Sequence, residues 1–363
     1  MLDPVYLKHT ACTHRVPLEA IADMVPLAAV PCIGDLVVAE VLRLGKHSTY
    51  EDRAGVTMNL FPGDLVVGAF GNRYATDQFE GYVPEAPIAD CDMLSIGGVL
   101  GTVASRHESM PAPTRLRVLG AVCGPAGRPL SLRAFGLGAT DESGPGQVIL
   151  VIGSSMNAGK TTLAGTIVRA LRNAGRRVGA AKVTGTAAGR DIRYVASCGA
   201  RPALDFTDAG FPATYMLSLD ELLGITRTLV GHLRATRPDY VVLEVADGVF
   251  QRETRMLLES PAFRAGIDHV FFAAADSLAA ESGARVARQL GLPLRALGGL
   301  VTRSPLATRE AAAASGLPCL SIERLLDGAA LDLVRGAQSP AGATARPCFG
   351  VVREQEALQP AAA

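Results

Sequence analysis

The chain has 363 residues, 35 basic and 35 acidic, with 48% hydrophobic and 19% charged side chains and a pI near 7. That length and apolar content exclude intrinsic disorder and suggest two domains at roughly 100–200 residues each. The balanced charge argues against nucleic-acid and anionic-membrane partners, and no apolar run approaches the ~20 residues of a membrane span.

Met1-Leu2-Asp3-Pro4 has neither the basic nor the apolar region of a signal peptide, so a soluble, cytoplasmic protein is expected. The first 140 residues read as β-rich. Gly34–Val41 and Gly63–Phe70 are near-copies, each an apolar run opened by a Gly-Asp turn. Further strands are expected over Met93–Val103 and Leu116–Val122, and short strands at this spacing suggest a small barrel or sandwich. Residues 71–80 (Gly-Asn-Arg-Tyr-Ala-Thr-Asp-Gln-Phe-Glu) form a polar, aromatic loop: a substrate-binding loop or a well-anchored turn.

Residues 136–146, with glycines and a proline crowding both ends, read as a linker. The texture then changes. Apolar strand-like runs recur at residues 147–152, 177–183, 240–245, 269–274 and 297–301. Helical patterns lie between them, including residues 217–235, 278–290 and a segment with Leu163, Ile167, Val168 and Leu171 on one face. Strands alternating with helices predict a doubly wound, mostly parallel α/β sheet. The expected division is residues 1–140 for the β-rich domain, 147–337 for the α/β domain and 338–363 for a frayed tail.

Chemistry-bearing residues are sparse. The seven cysteines form no CxxC and the six histidines no HExxH, so neither a disulfide framework nor a transition-metal site is expected. Of the 35 basic residues only four are lysine: Lys8, Lys46, Lys160 and Lys182. Lysine is a compact point donor that arginine's planar fork does not replace, and two of the four fall inside motifs.

The strongest motif is Gly153-Ser-Ser-Met-Asn-Ala-Gly159-Lys160-Thr161-Thr162, after an expected strand and opening an expected helix. Such a loop turns successive backbone N–H groups toward phosphate oxygens at a helix N-terminus. Gly153, Ser155, Asn157, Ala158, Gly159, Lys160, Thr161 and Thr162 are therefore nucleotide-binding candidates, with Lys160 on the β and γ phosphates and the Thr161 hydroxyl on Mg²⁺. Five residues, rather than four, separate the two glycines.

That Gly-x5-Gly-Lys-Thr spacing resembles the dethiobiotin synthetase family and its relatives, the cobyrinate and cobyrate amide-forming enzymes and P-loop proteins acting on D-glutamate-type substrates. The resemblance covers about residues 147–325. It implies that Lys182, in Ala180-Ala-Lys-Val-Thr184-Gly185, faces the transferred phosphate, with Thr184 near the substrate. It also implies that Asp191 and Glu244 bind Mg²⁺, and that Thr302 and Arg303 stand where the base is read. Val245 and Asp247 replace glycines of the family pattern. For Glu244 and Asp191, a plain salt-bridge role is the competing reading. Asp205 and Asp208 resemble an Asp-Phe segment of the D-glutamate-type relatives, and a helix cap is equally compatible. Arg252 is a candidate clamp for a substrate carboxylate, or a solvated helix residue.

The resemblance implies an ATP-dependent ligase or kinase (GTP being possible) that phosphorylates a small carboxylated metabolite with Mg²⁺, amide formation following, and catalysis by Lys160, Lys182 and Glu244. Homodimers are common among the resembling enzymes. A switch-type GTPase or ATPase and a P-loop acyltransferase are the alternatives.

Overall fold

The computed structural model describes residues 7–140, 143–335 and Phe349; most of the expected tail, 338–363, lies outside them. Ten strands precede residue 124: β1 (Leu7–His9), β2 (Asp23–Val25), β3 (Leu36–Arg43), β4 (Thr49–Glu51), β5 (Thr57–Asn59), β6 (Leu65–Phe70), β7 (Phe79–Tyr82), β8 (Asp90–Met93), β9 (Val99–Arg106) and β10 (Thr114–Cys123). β6, β3, β10, β8 and β9 pair in that order, and β9 returns to pair with β6, closing a five-strand barrel. β1, β2 and β7 extend it, and β4 and β5 form a separate ribbon.

The two near-copies are β3 and β6, and they pair antiparallel with each other, Leu36 opposite Ala69 and Glu40 opposite Leu65. Both Gly-Asp turns use the same device. Asp35 Oδ2 accepts the Cys32 N–H at 2.8 Å, and Asp64 Oδ2 accepts the Phe61 N–H at 2.6 Å. Alternate residues face opposite sides of a strand. Val37, Ala39 and Val41 of β3 and Val66 and Phe70 of β6 join residues of the other three ring strands to fill the barrel. Leu36, Val38, Val67 and Ala69 face outward onto a second cluster that includes Ala187 and Ala213 of the following domain. The run Met93–Val103, expected as one strand, is instead split between β8 and β9, because Gly97-Gly98 makes a turn closed by Leu94 N–H to Val99 O at 2.8 Å.

The second domain has six parallel strands in the order β13 (Ala203–Asp205), β12 (Val178–Lys182), β14 (Tyr240–Glu244), β11 (Gln147–Gly153), β15 (His269–Ala273) and β16 (Leu294–Gly298). Both faces are covered, so the strands are mostly apolar. Ile149 and Val151 pack on one face with α1 (Lys160–Asn173), α2 (Gly189–Ser197) and the short helix Ala330–Arg335. Val148, Leu150 and Ile152 pack on the other with α3 (Leu219–Ala235), α4 (Arg252–Glu259), α5 (Pro261–Ala265), α6 (Ser277–Gln289) and α7 (Pro305–Ser315). This is the expected doubly wound α/β sheet behind a β-rich domain. The last strand ends earlier than expected: residues Leu300–Arg303 form a 3₁₀ turn, and the strand is Leu294–Gly298.

Candidate functional site

In an open α/β sheet of this kind, ligands sit at the carboxyl ends of the strands where the chain order reverses, here beside central β11. The loop from β11 to α1 carries Ser154–Gly159. Gly159 has a φ of 97°, a left-handed conformation that glycine adopts at least cost. Ser218, Asp276 and Ser304 cap α3, α6 and α7 with side-chain oxygens, whereas Gly159 supplies none to α1. The first-turn N–H groups of α1 therefore face the loop, with the positive end of the helix dipole behind them.

In front of that loop lies a cavity of about 480 Å³, into which Lys160, Thr161, Lys182, Asp191, Glu244 and Asp247 converge. Parallel register places Lys182 of β12 and Val151 of β11 opposite Glu244 of β14. Thr161 Oγ1 donates to Glu244 Oε1 at 2.9 Å, and Lys160 Nζ donates to the Ser155 carbonyl at 2.7 Å. Lys182 is ion-paired with Asp191. The sequence-derived residues Asn157, Gly159 and Thr162, together with Met156, complete the loop side of the cavity, and Ala158 is buried.

Burial and charge act against each other here. Burial raises the Glu244 carboxyl above its ordinary value despite Lys182 and Lys160, and it raises Asp247 despite Lys160, Lys182 and Arg73. Burial likewise lowers Lys160. For Lys182 burial is outweighed by Glu244 and Asp191, which hold the ammonium above its usual range, and Lys182 in turn holds Asp191 low against its burial. The site thus combines one firmly charged lysine, one lysine shifted down and two carboxylates shifted up.

The donor set suits a hard cation. Thr161 and Glu244 present oxygens in hydrogen-bond contact, and Asp191 lines the same cavity. Among the described residues no three His, Cys, Asp or Glu side chains cluster as a dedicated metal cage, so phosphate oxygens and water would supply the other ligands, as is usual for Mg²⁺.

Other expected site residues lie elsewhere. Thr302 and Arg303 line an adjoining pocket of about 90 Å³ with Gly159, Thr162 and Leu163. Thr184 is fully buried; its hydroxyl donates to Ala246 O at 2.6 Å and accepts the Ala246 N–H at 2.8 Å, so it pins a loop. Asp205 and Asp208 line a separate interdomain pocket of about 140 Å³ with His14, Arg53 and Arg193. Asp205 accepts from the Thr207 N–H and hydroxyl, and Asp208 binds His14 at 3.1 Å. Arg252 donates to Leu217 O at 3.0 Å and to Glu253 at 2.5 Å, outside the cavity lining.

The barrel supplies part of the surroundings. Asp77, in the polar 71–80 loop, accepts a 2.6 Å hydrogen bond from the Asn157 side chain of the phosphate loop. Arg73 of that loop is buried, donating to Gln78 Oε1 at 2.7 Å and contacting His47 Nε2 at 3.3 Å. Sequence reasoning singled out the loop but not its target. It treated Asp247 as a departure from a glycine pattern and missed Arg190 on the cavity wall. An acid placed directly after the Glu244 strand was the available signal for Asp247.

No family model matches the chain, and no curated protein matches it. Among solved structures it is similar to the signal recognition particle 54 kDa protein of Aeropyrum pernix in complex with GDP, at 18% identity and a TM-score of 0.36 over 53% of this chain and 49% of that one. A DUF1611 family protein from Anabaena variabilis gives 16% identity and a TM-score of 0.37 over 53% and 58%. The cell division protein FtsY of Thermotoga maritima gives 17% and 0.36 over 56% and 73%. The matched regions take in less than two thirds of the first two proteins' own chains. Likenesses this partial fix neither family nor activity; the strand order and the phosphate loop are what identify a P-loop NTPase fold.

Proposed function

We propose that the chain is a Mg²⁺- and nucleotide-dependent phosphotransferase, a kinase or ligase acting on a small carboxylated metabolite, with ATP as donor or GTP in its place. The observation that carries the reading is the convergence of Lys160 and Lys182 on one cavity that also holds the Thr161–Glu244 pair. Phosphoryl transfer needs positioning and charge neutralisation more than covalent chemistry. Lys160 would hold the β and γ phosphates. Lys182, kept charged by Glu244 and Asp191, would face the transferred group and the acceptor. Mg²⁺ bound through Thr161, Glu244 and Asp191 would neutralise phosphate charge. Arg190 on the cavity wall offers a cation to the acceptor's carboxylate. The adjoining pocket at Thr302 and Arg303 would take the base. The resemblance to dethiobiotin synthetase-like enzymes supports an acceptor that carries a carboxylate.

One observation favours a second reading. The Asp77–Asn157 hydrogen bond ties the phosphate loop to the barrel, as a switch-type NTPase would require to signal its nucleotide state. Chromatography of nucleotides after incubation with Mg-ATP or Mg-GTP, with and without a pool of cellular carboxylic and amino acids, separates the two. Nucleoside diphosphate formed only with the pool supports transfer. Diphosphate formed regardless of the pool supports the switch, and no product from either nucleotide overturns both.

A further inference from the structure

Asp247 differs from Glu244 and Asp191, the other acids of the cavity lining, in that its carboxylate makes no hydrogen bond to the protein among the described residues. Glu244 is engaged by Thr161 and Asp191 by Lys182. Around Asp247 the loop is clamped on both sides. Ala246 O accepts from the Thr184 and Thr254 hydroxyls at 2.6 and 2.8 Å, and the Val249 N–H donates to Gly153 O at 3.0 Å. Gly248 lies so close to the phosphate loop that a Cβ there would stand 2.5 Å from Ser154 O. The backbone on either side of Asp247 is thereby fixed against the phosphate loop, and Asp247 lines the cavity in front of it. Lys160 at the start of α1 and Lys182 at the end of β12 line the cavity with it, and the charges of Arg73 and Asp77 on the barrel loop also act on it.

We propose that Asp247 is the general base of this site, accepting the proton of the oxygen nucleophile that attacks the γ-phosphorus. The inference rests on the phosphotransferase reading and narrows it: a carboxylate acceptor has no proton to give up, so the client of Asp247 is water in basal hydrolysis and a hydroxyl group in transfer. In the step, the nucleophile's O–H proton passes to the Asp247 carboxylate as its oxygen bonds to the γ-phosphorus. The bond from the γ-phosphorus to the β–γ bridging oxygen breaks, and the electron pair leaves with the nucleoside diphosphate beside Lys160. The proton then passes from Asp247 to solvent. Burial and the two lysines act on Asp247 in opposite directions, and burial prevails, which leaves the group more basic than an exposed aspartate.

The test compares the wild type with Asp247→Asn and Asp247→Ala for nucleoside diphosphate formation from Mg-ATP and Mg-GTP in the presence of the metabolite pool, with fluorescent-nucleotide binding and thermal unfolding measured on the same samples. Loss of a general base lowers turnover by about 100-fold or more with nucleotide affinity nearly unchanged. Formate or acetate added to Asp247→Ala should restore at least part of the lost rate, acetate better than formate, an order that a merely structural aspartate does not produce. Should Asp247→Asn unfold, the rescue of Asp247→Ala by carboxylates decides. Variants that turn over at the wild-type rate, or that lose activity without any carboxylate rescue, overturn the assignment. A wild type that turns over neither nucleotide, with or without the metabolite pool, overturns the parent reading instead.

Discussion

Glu51 of the β4–β5 ribbon accepts the backbone N–H of Gly189 at 2.5 Å, so the first turn of α2 is capped by a carboxylate from the other domain. The same carboxylate takes the Arg193 guanidinium at 3.0 Å. Two residues beyond Gly189, Asp191 reaches Lys182. The first domain thus sets where an acid of the nucleotide cavity stands. Glu51→Gln keeps the volume and removes the charge. Denaturant unfolding should show a loss of about 1–2 kcal/mol, the range for a helix cap with a charge-assisted bond. Unchanged stability would show that the cap contributes nothing.

On the proposed reading Lys160→Ala should abolish nucleotide turnover, by at least about 100-fold, because it removes the cation that would hold the β and γ phosphates. The helix it opens is held by Leu163, Ile167 and Leu171 packed into the core, so circular dichroism and thermal unfolding should remain near wild type. Full turnover in a folded variant would refute the phosphate-loop reading.

Gly248→Ala places a methyl group 2.5 Å from Ser154 O and 3.0 Å from Ser155 Cα. Both contacts are backbone, so the phosphate loop must move. Calorimetric titration with Mg-nucleotide should show affinity reduced about tenfold or more, the equivalent of about 1.4 kcal/mol. Wild-type affinity would mean that the loop absorbs the displacement.

His47 is buried against Arg73, and its pKa is pushed down to about 4, first by burial and then by that guanidinium. His47 Nε2 donates to the Leu94 carbonyl at 3.1 Å, and Arg73, lowered to about 10 by burial, remains a cation 3.3 Å from the ring, so its charge opposes protonation of the imidazole. The unfolded chain binds this proton near pH 6.5 and the folded one only near pH 4. The stabilising contribution is therefore complete above pH 6.5 and is lost as pH falls toward 4, by at most about 3 kcal/mol. Unfolding curves from pH 7 to 4 should show this loss, and His47→Gln should flatten it. An equal slope in the variant would assign the acid sensitivity to other groups.

The phosphate loop was legible because its spacing, its preceding strand and its following helix are all local in sequence. The pairing of β3 with β6 was half legible: the near-copied Gly-Asp turns marked both strands, but not that they lie side by side. The split between β8 and β9 was signalled by Gly97-Gly98 and overridden by the apolar residues around it. What the sequence could not disclose depends on long-range placement. Asp77 meets Asn157 across 80 positions, and Glu51 meets Gly189 across 138. Asp205 and Asp208 carry plausible site chemistry by type, yet β13 delivers them to the interdomain pocket and not to the nucleotide cavity.

The closed ring of β6, β3, β10, β8 and β9 has a consequence for the order of assembly. Its last strand ends at Cys123, so every residue of the pairings that seal it is synthesised before the central strand β11. β11 must then wait for β14 and β15, which begin at Tyr240 and His269, before both its edges are covered. During translation, at about 5–20 residues per second, domains fold as units and the N-terminal one first. The first domain, with Glu51 on its ribbon and Asp77 on its polar loop, can therefore serve as the template against which the nascent phosphate loop and α2 come to rest.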